Sequence, residues 1–281
     1  MGPFSKPWKD LTFADNFIFC KVMQDERLCR RMIEILLGIH AGRIEYLETE
    51  KPLDPLYRSR GVRFDVYVED SGGRVFDVEL QAGNYSDILM RTRYYLGASD
   101  IATTRRRTKF SGIKETYIIF ICRDDPLGAG LPVYTRQTRF LETDAVPYDD
   151  KSHAVFYNCS AYGKVQDKEL RSVLRFIYEF RAESGYTREL EASTAQAKAL
   201  SAWEDEYMYF TDYLEDEKET AREEGRTEGI EEGRAAGRTE GMRDAKIEAV
   251  QNLILNGVSA EIVAKSIGFP LEQVMEIQRG L

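Results

Sequence analysis

Apolar and polar positions follow two different periods along the first two thirds of the chain. From Phe17 to Leu37 the apolar residues Phe17, Val22, Leu28, Met32, Ile35 and Leu36 recur at helical spacing, which predicts a helix. Strand-like runs follow over Arg43–Thr49, Val62–Glu69 (VRFDVYVE) and Arg74–Gln81 (RVFDVELQ). The last two are joined by Asp70, Ser71, Gly72 and Gly73, a turn cluster. Helical spacing returns over Tyr85–Ile101, with Ile88, Leu89, Tyr95 and Leu96 among its apolar residues. Thr116–Cys122 (TYIIFIC) is a continuous apolar run, as expected of a central strand covered on both faces. Shorter strands are predicted near Val133–Phe140 and Ala154–Tyr157, and helices over about Lys168–Glu183 and Arg188–Glu219. The order of helix, three strands, helix and strand predicts an α/β core.

Beyond Glu219 the pattern changes. Gly225, Gly229, Gly233, Gly237 and Gly241 recur every four residues and would line one stripe of a helix. Each interior glycine costs about 0.5–1 kcal/mol against alanine. Such a segment either stays loose or packs closely against another backbone, as a hinge or a self-associating helix. The last stretch, IEAVQNLILNGVSAEIVAKSIGFPLEQVMEIQ, has helix-turn-helix spacing: Ala264, then Gly268, then Val274, with Val263, Ile267, Phe269 and Ile277 at apolar positions. Ser259 can cap one helix, and Pro270 can open the next at its first position. The second helix carries Glu272 and Glu276 against Arg279. Acidic side chains would face phosphates there, so the module suits protein contact or dimerisation better than DNA reading. The expected organisation is a domain with its trailing helices over 1–219, a Gly/Glu-rich helical or flexible linker over 220–245, and a small helical module over 246–281.

Composition and charge adjust this picture in two places. Of the 281 residues, 43% are hydrophobic and 31% charged, a usual soluble balance. No apolar run reaches the length of a membrane span, and no secretory leader is recognisable, so no membrane partner is expected. Cys20, Cys29, Cys122 and Cys159 form no CxxC pair, and His40 and His153 give no zinc spacing. Scattered cysteines suit a reducing compartment, the cytoplasm. The net charge of −9 looks wrong for a DNA-binding protein until it is divided. Residues 1–200 hold 30 Lys/Arg against 29 Asp/Glu, whereas residues 201–281 hold 9 against 19. The acidity belongs to the tail, and a balanced front domain can still present a local basic face.

The hairpin from Val62 to Gln81 carries the most chemistry. Alternation places Arg63, Asp65, Tyr67 and Glu69 on one face of its first strand and Val62, Phe64, Val66 and Val68 on the other. In the second strand Asp77, Glu79 and Gln81 share a face, with Val78 and Leu80 opposed. For the apolar faces to coincide, paired residue numbers must have an even sum. A hairpin centred on Gly72 satisfies this, setting Asp65 opposite Glu79 and Gln81 opposite Arg63. Directly opposed residues have Cβ atoms about 4.5–5.5 Å apart. Two carboxylates at that distance repel, unless one is neutral, both are paired with cations, or they hold a metal. A plain solvated sheet face would also carry such residues. Oxygen donors without histidine or cysteine suit Mg²⁺ or Mn²⁺.

VRFDVYVEDSGGRVFDVELQAGN, the RTRYYLG of the next helix and TYIIFICRDDP together resemble the PD-(D/E)XK nuclease superfamily, and within it the Rpn family of recombination-promoting nucleases and putative transposases. The resemblance covers roughly residues 8–215, and the Glu-Gly tail is similar as well. It implies a restriction-endonuclease-like core, a mixed sheet flanked by helices, with a helical C-terminal extension. It implies that Asp65 and Glu79 are metal ligands, that the Leu80 carbonyl completes the set, and that Gln81 stands at the catalytic lysine position. Phe64 replaces the signature proline, which has no chemical role. Gln81 replaces lysine; an amide can orient a water but cannot deprotonate one, so the hydroxide would have to come from the metal.

Arg91 and Tyr95 lie one helical turn apart, and Arg91 either meets a phosphate above the site or stacks on a core tyrosine. Glu34 is a candidate for an additional metal-site carboxylate, or else an ordinary surface glutamate. Arg105, Arg106, Arg107 and Lys109 form the densest basic run, suited to DNA phosphates or to a solvated loop. The expected activity is Mg²⁺- or Mn²⁺-dependent endonucleolytic cleavage of double-stranded DNA, largely sequence-independent, in recombination or mobile-element functions. Self-association is expected through the tail. The alternative is a catalytically weak or inactive, transposon-derived module that binds DNA or protein on the same fold.

Overall fold

A computed structural model of the chain describes residues 6–53, 62–83, 85–104 and 107–281, apart from the side chains of residues 53, 62, 214 and 217. Two compact units divide it, Met1–Tyr209 and Phe210–Leu281.

Among the described residues of the first unit, six strands form one sheet in the order β1-β2-β3-β4-β6-β5. They are β1 Ile44–Leu53, β2 Val62–Asp70, β3 Val75–Gln81, β4 Thr116–Cys122, β5 Val133–Thr135 and β6 Ser152–Asn158. β1, β2 and β3 pair antiparallel, β4 lies parallel between β3 and β6, and β5 closes the edge antiparallel. This mixed sheet with helices against it is the PD-(D/E)XK-like α/β core expected from the sequence. β4 occupies the centre because TYIIFIC can be apolar on both faces. Ile119 and Ile121 enter the large core, whereas Ile118, Phe120 and Cys122 enter the opposite one.

The helices α1 Asn16–Val22, α2 Glu26–Leu37, α4 Lys168–Glu179 and α5 Gly185–Lys198 supply the large core against Val66, Val68, Phe76, Val78 and Leu80. On the other face α3, Ile88–Thr103, packs Ile88 and Leu96 on β4 and Ala98 on Phe64, Tyr67 and Val75. The single helix expected over Phe17–Leu37 is broken instead. Asp25 caps α2, accepting from Arg27 and Leu28 N–H, and such a cap ends one helix as it starts the next. The helix expected over Arg188–Glu219 likewise becomes two, α5 and α6, the latter running Ser201–Leu255.

The turn between β2 and β3 is fixed by one side chain. Asp70 accepts from the N–H of Gly72, Arg74 and Gly42 and pairs with the Arg74 guanidinium at 2.6 Å. Gly73 sits at φ 77°, where a side chain would be strained. The register this sets is Glu69↔Val75, Val68↔Phe76, Tyr67↔Asp77 and Val66↔Val78, a hairpin centred on Gly72.

In the second unit α6 continues as one helix through the glycine stripe. It is followed by α7, Ala260–Ile267, and α8, Leu271–Arg279. Val250, Val263 and Val274 form a small core with Phe269 and Ile277 packed against it. Gly268 ends α7 at φ 70°, while Pro270 sits just before α8 rather than inside it, and Ser259 precedes α7 without a side-chain cap bond. No helix among the described residues is long and apolar enough to cross a membrane. A Cβ placed at Gly225, Gly229, Gly233, Gly237 or Gly241 would meet nothing within 4 Å. Replacing all five by alanine is therefore expected to stabilise α6 by about 0.5–1 kcal/mol per site. Circular dichroism during thermal melting checks this, and an unchanged or lower helical melting point would contradict it.

Candidate active site

The β2–β3 ladder is regular as far as Val66↔Val78, and the next residues in that register are Asp65 and Glu79. There side chains take over from the backbone. Asp65 N–H donates to Glu79 Oε1 at 2.9 Å, and Leu80 N–H donates to Asp65 Oδ2 at 3.0 Å. Each carboxylate thus satisfies a peptide of the opposite strand, and one oxygen of each is left for other partners. The two acids are buried, Asp65 7% and Glu79 1% exposed.

The neighbouring strand and helices complete the setting. Glu50 lies across from Asp65 in the β1–β2 register, with φ 55° and an ion pair to Arg63 at 3.7 Å. A non-glycine residue at that φ is uncommon in a strand. Asn16, at the start of α1, is near enough to the Asp65 carboxylate to pull its pKa down, and the Cys20 thiol donates to the Asp65 carbonyl at 3.4 Å. From α3, Arg91 donates to Gln81 Oε1 at 2.9 Å and to Tyr95 Oη at 3.2 Å, and it lies 3.7 Å from Glu79 Oε2. Its guanidinium stacks over the rings of Tyr95 and Phe120. Of the two roles open to Arg91 from sequence, the internal one is the one these contacts describe.

Asp77 adds a third acid. It is fully buried, and neither of its oxygens has a hydrogen-bond partner among the described residues. Burial pushes Asp65 up to about 6, against the pull of Asn16 and the Leu80 N–H. Burial, with Asp65 and Asp77 alongside, holds Glu79 well above the usual carboxylate range. Burial and the charge of Asp65 do the same to Asp77. Ionising three buried acids beside one guanidinium would leave an excess of negative charge that a divalent cation would offset, and the donors are all oxygen. Among the described residues no three acidic, histidine or cysteine side chains are grouped to hold a metal by themselves. Asp65 and Glu79 would therefore need further oxygen donors from backbone or water to hold one.

The structure brings together Asp65, Glu79, Gln81, Arg91 and Tyr95. It does not bring Glu34 to them: Glu34 accepts from Ala41 N–H and pairs with His40 at 2.9 Å, tying down the turn after α2. Arg107 and Lys109 are exposed beyond the end of α3. Thr103 lies twelve positions beyond Arg91 on the same helix, about 18 Å along the axis. Arg105 and Arg106 lie outside the described residues. Alternation placed Phe64 on the face of Val66 and Val68, but it packs with Tyr67, Val75 and Ala98, stacked on Tyr67 at 5.8 Å. The strict alternation of β2 therefore fails next to Asp65, where the ladder ends. Sequence reasoning also passed over Asp77 and Asn16. Asp77 was within reach, since it shares the Glu79 face; Asn16 gave no signal, since it arrives from a distant helix.

Residues 9–144 match the family model described as PD-(D/E)XK nuclease family transposase. No curated protein matches the chain. No solved structure matches it either.

Proposed function

From a core over residues 9–144 that belongs to the PD-(D/E)XK nuclease family transposases, we propose that the protein is an endonuclease hydrolysing double-stranded DNA with Mg²⁺ or Mn²⁺. The observation that carries this is the pair Asp65 and Glu79, buried and facing each other at the end of the β2–β3 ladder, with one oxygen of each bound to a peptide N–H. Those carboxylates and the Leu80 carbonyl are the proposed metal ligands. A bound divalent ion would supply Lewis acidity and a water of lowered pKa, the chemistry that Gln81 in place of lysine cannot supply. The Leu80 N–H orients Asp65, and the Asp65 N–H orients Glu79. Gln81, at the end of β3, is the group we assign to the scissile phosphate. Substrate contacts to phosphates would leave sequence preference weak, as suits recombination or mobile-element functions.

The test is incubation of purified protein with supercoiled plasmid, with Mg²⁺ or Mn²⁺ and with chelator. Nicked or linear product only in the presence of metal is expected. DNA binding without cleavage under every metal would move the assignment to the binding module.

We further propose that the tail is separable from the nuclease core and mediates self-association in the cytoplasm. Four free, buried cysteines suit a reducing compartment. Tyr207 packs against Trp8 and Phe17 and donates to the Lys6 carbonyl, so a boundary at Glu219 keeps these core contacts. A chain ending at Glu219 is expected to unfold cooperatively and to form smaller assemblies than the full chain in light scattering. Equal stoichiometry of the two would remove the tail from any role in association.

A further inference from the structure

Gln81 is the one member of the proposed site whose chemistry depends on which way round it sits. Its Oε1 could orient a water, or its Nε2 could donate to a phosphate oxygen, and only one of the two can point into the site. Arg91 decides between them. A guanidinium has five N–H donors and no acceptor, so the side-chain atom 2.9 Å from Arg91 Nη1 has to be the amide oxygen. The reverse orientation would set donor against donor.

Arg91 has little freedom to yield. Tyr95 Oη holds Nη2 at 3.2 Å, and Glu79 Oε2 lies 3.7 Å away. The guanidinium carbon sits 5.5 Å from the Tyr95 ring centroid and 5.4 Å from that of Phe120. Gln81 is pinned at its own backbone as well: its carbonyl accepts from Arg123 N–H at 2.9 Å and from Tyr85 Oη at 3.2 Å. Both ends of the contact are anchored by other groups, so the amide is oriented before any substrate arrives.

We propose that Arg91 is a positioning residue that commits Gln81 to act as a hydrogen-bond donor, its Nε2 aimed at the scissile phosphate. The proposal rests on the phosphodiesterase reading of the site. A lysine at this position would bring a donor and a positive charge on one side chain. Here the two are divided: Gln81 supplies the donor, and Arg91, joined to it by a hydrogen bond, supplies the charge. Such a donor acts where charge grows on the phosphate oxygens, and its pre-orientation avoids a reorganisation cost during the reaction.

Gln81→Glu separates the two orientations. The carboxylate keeps the shape and pairs with Arg91, but at neutral pH it has no proton to donate. The expected result is a fall in kcat of about 100-fold or more, with KM and thermal stability held. If Gln81 worked instead through its oxygen as a water-orienting acceptor, Gln81→Glu would keep or exceed wild-type kcat, and that result overturns the proposal. Arg91→Met removes both the charge and the constraint on the amide, and a comparable fall is expected. The double variant Arg91→Met/Gln81→Lys returns donor and charge on one side chain. It should recover at least about tenfold over Arg91→Met, an energetic coupling that a purely structural arginine would not give. A folded double variant with no recovery also overturns the proposal. The readout independent of catalysis is a through-hydrogen-bond NMR coupling between Arg91 Nη and the Gln81 side-chain carbonyl carbon in the metal-free wild type. If the wild type cuts no DNA, the phosphodiesterase reading fails while this coupling still reports the orientation; its absence overturns the orientation whatever the activity.

Discussion

Glu79→Gln and Glu79→Ala are expected to abolish metal-dependent plasmid cleavage, lowering it at least about 10³-fold, the scale of the several kcal/mol a catalytic metal contributes. The two changes fail for the same reason, loss of a charged ligand, and differ in what they do to the fold. Glutamine keeps an oxygen for Asp65 N–H, so the bond at 2.9 Å survives. Alanine leaves that buried N–H unpaired, at a cost of about 1–3 kcal/mol. It also removes an acid that burial and the Asp65 and Asp77 carboxylates hold well above its usual range, which offsets part of the cost. Both variants should therefore fold, Glu79→Gln at least as stably as the wild type without metal. Asp65→Asn should behave as Glu79→Gln does. The measurement is nicking across metal concentration, beside isothermal titration of Mn²⁺ into each protein. Wild-type cleavage by Glu79→Gln would identify a contaminating nuclease and sink the assignment.

The metal-free protein is expected to become more stable on acidification from pH 7.5 to about 5. Most proteins with paired surface carboxylates do not gain stability in this range, and the sign follows from the buried acids. Asp65 titrates at about 6 in the fold, against 3.8 for an unperturbed aspartate. Near pH 3 it is protonated folded and unfolded alike, and it contributes nothing. Between about 4 and 6 the unfolded chain loses the proton first, so the folded state is progressively disfavoured. Above about 6 the full penalty is present, on the order of 3 kcal/mol for this group. Glu79 and Asp77 are raised too, with the same sign, and extend the slope toward higher pH. The acids held low, Asp70, Glu69, Asp125 and Asp150, stabilise the fold above the ordinary carboxylate range and lose that contribution only below it. They therefore leave the window from 5 to 7.5 to the buried group. Mg²⁺ or Mn²⁺ should shrink or reverse the slope, because ligation favours the ionised carboxylates. Asp77→Asn should flatten it without metal. Urea denaturation with chelator and with metal, at several pH values, measures both. A flat chelator profile, or one that metal leaves unchanged, would mean that the three acids carry no uncompensated charge.

The local pattern of the chain was enough for the elements that position the chemistry. Thr116–Cys122 reads as a central strand because only a strand covered on both faces can be apolar at every position, and β4 has those bounds. The opposition of Asp65 and Glu79 follows from a period of two and a turn centred on Gly72, and the observed register has that parity. The same alternation put Asp77 on the face of Glu79. These features depend on neighbours a few residues apart, or on one short turn, and the sequence states them directly. Tertiary structure alone decided the rest. Phe64 leaves its alternation to stack on Tyr67 and pack beneath α3, because the core available there outweighs the regular pleat. The helix start at Asn16 meets Asp65 across 49 residues of chain, and the Arg91 choice of Gln81, Tyr95 and Glu79 over a solvated position depends on how α3 crosses the end of β3. Glu34, a candidate on sequence, is instead taken by the turn that follows its own helix. Burial is the physical difference between the two sets. Alternation shows which side chains share a face, but it cannot show that three acids on or beside that face are sealed from water, and that sealing shifts their protonation and creates the need for a cation.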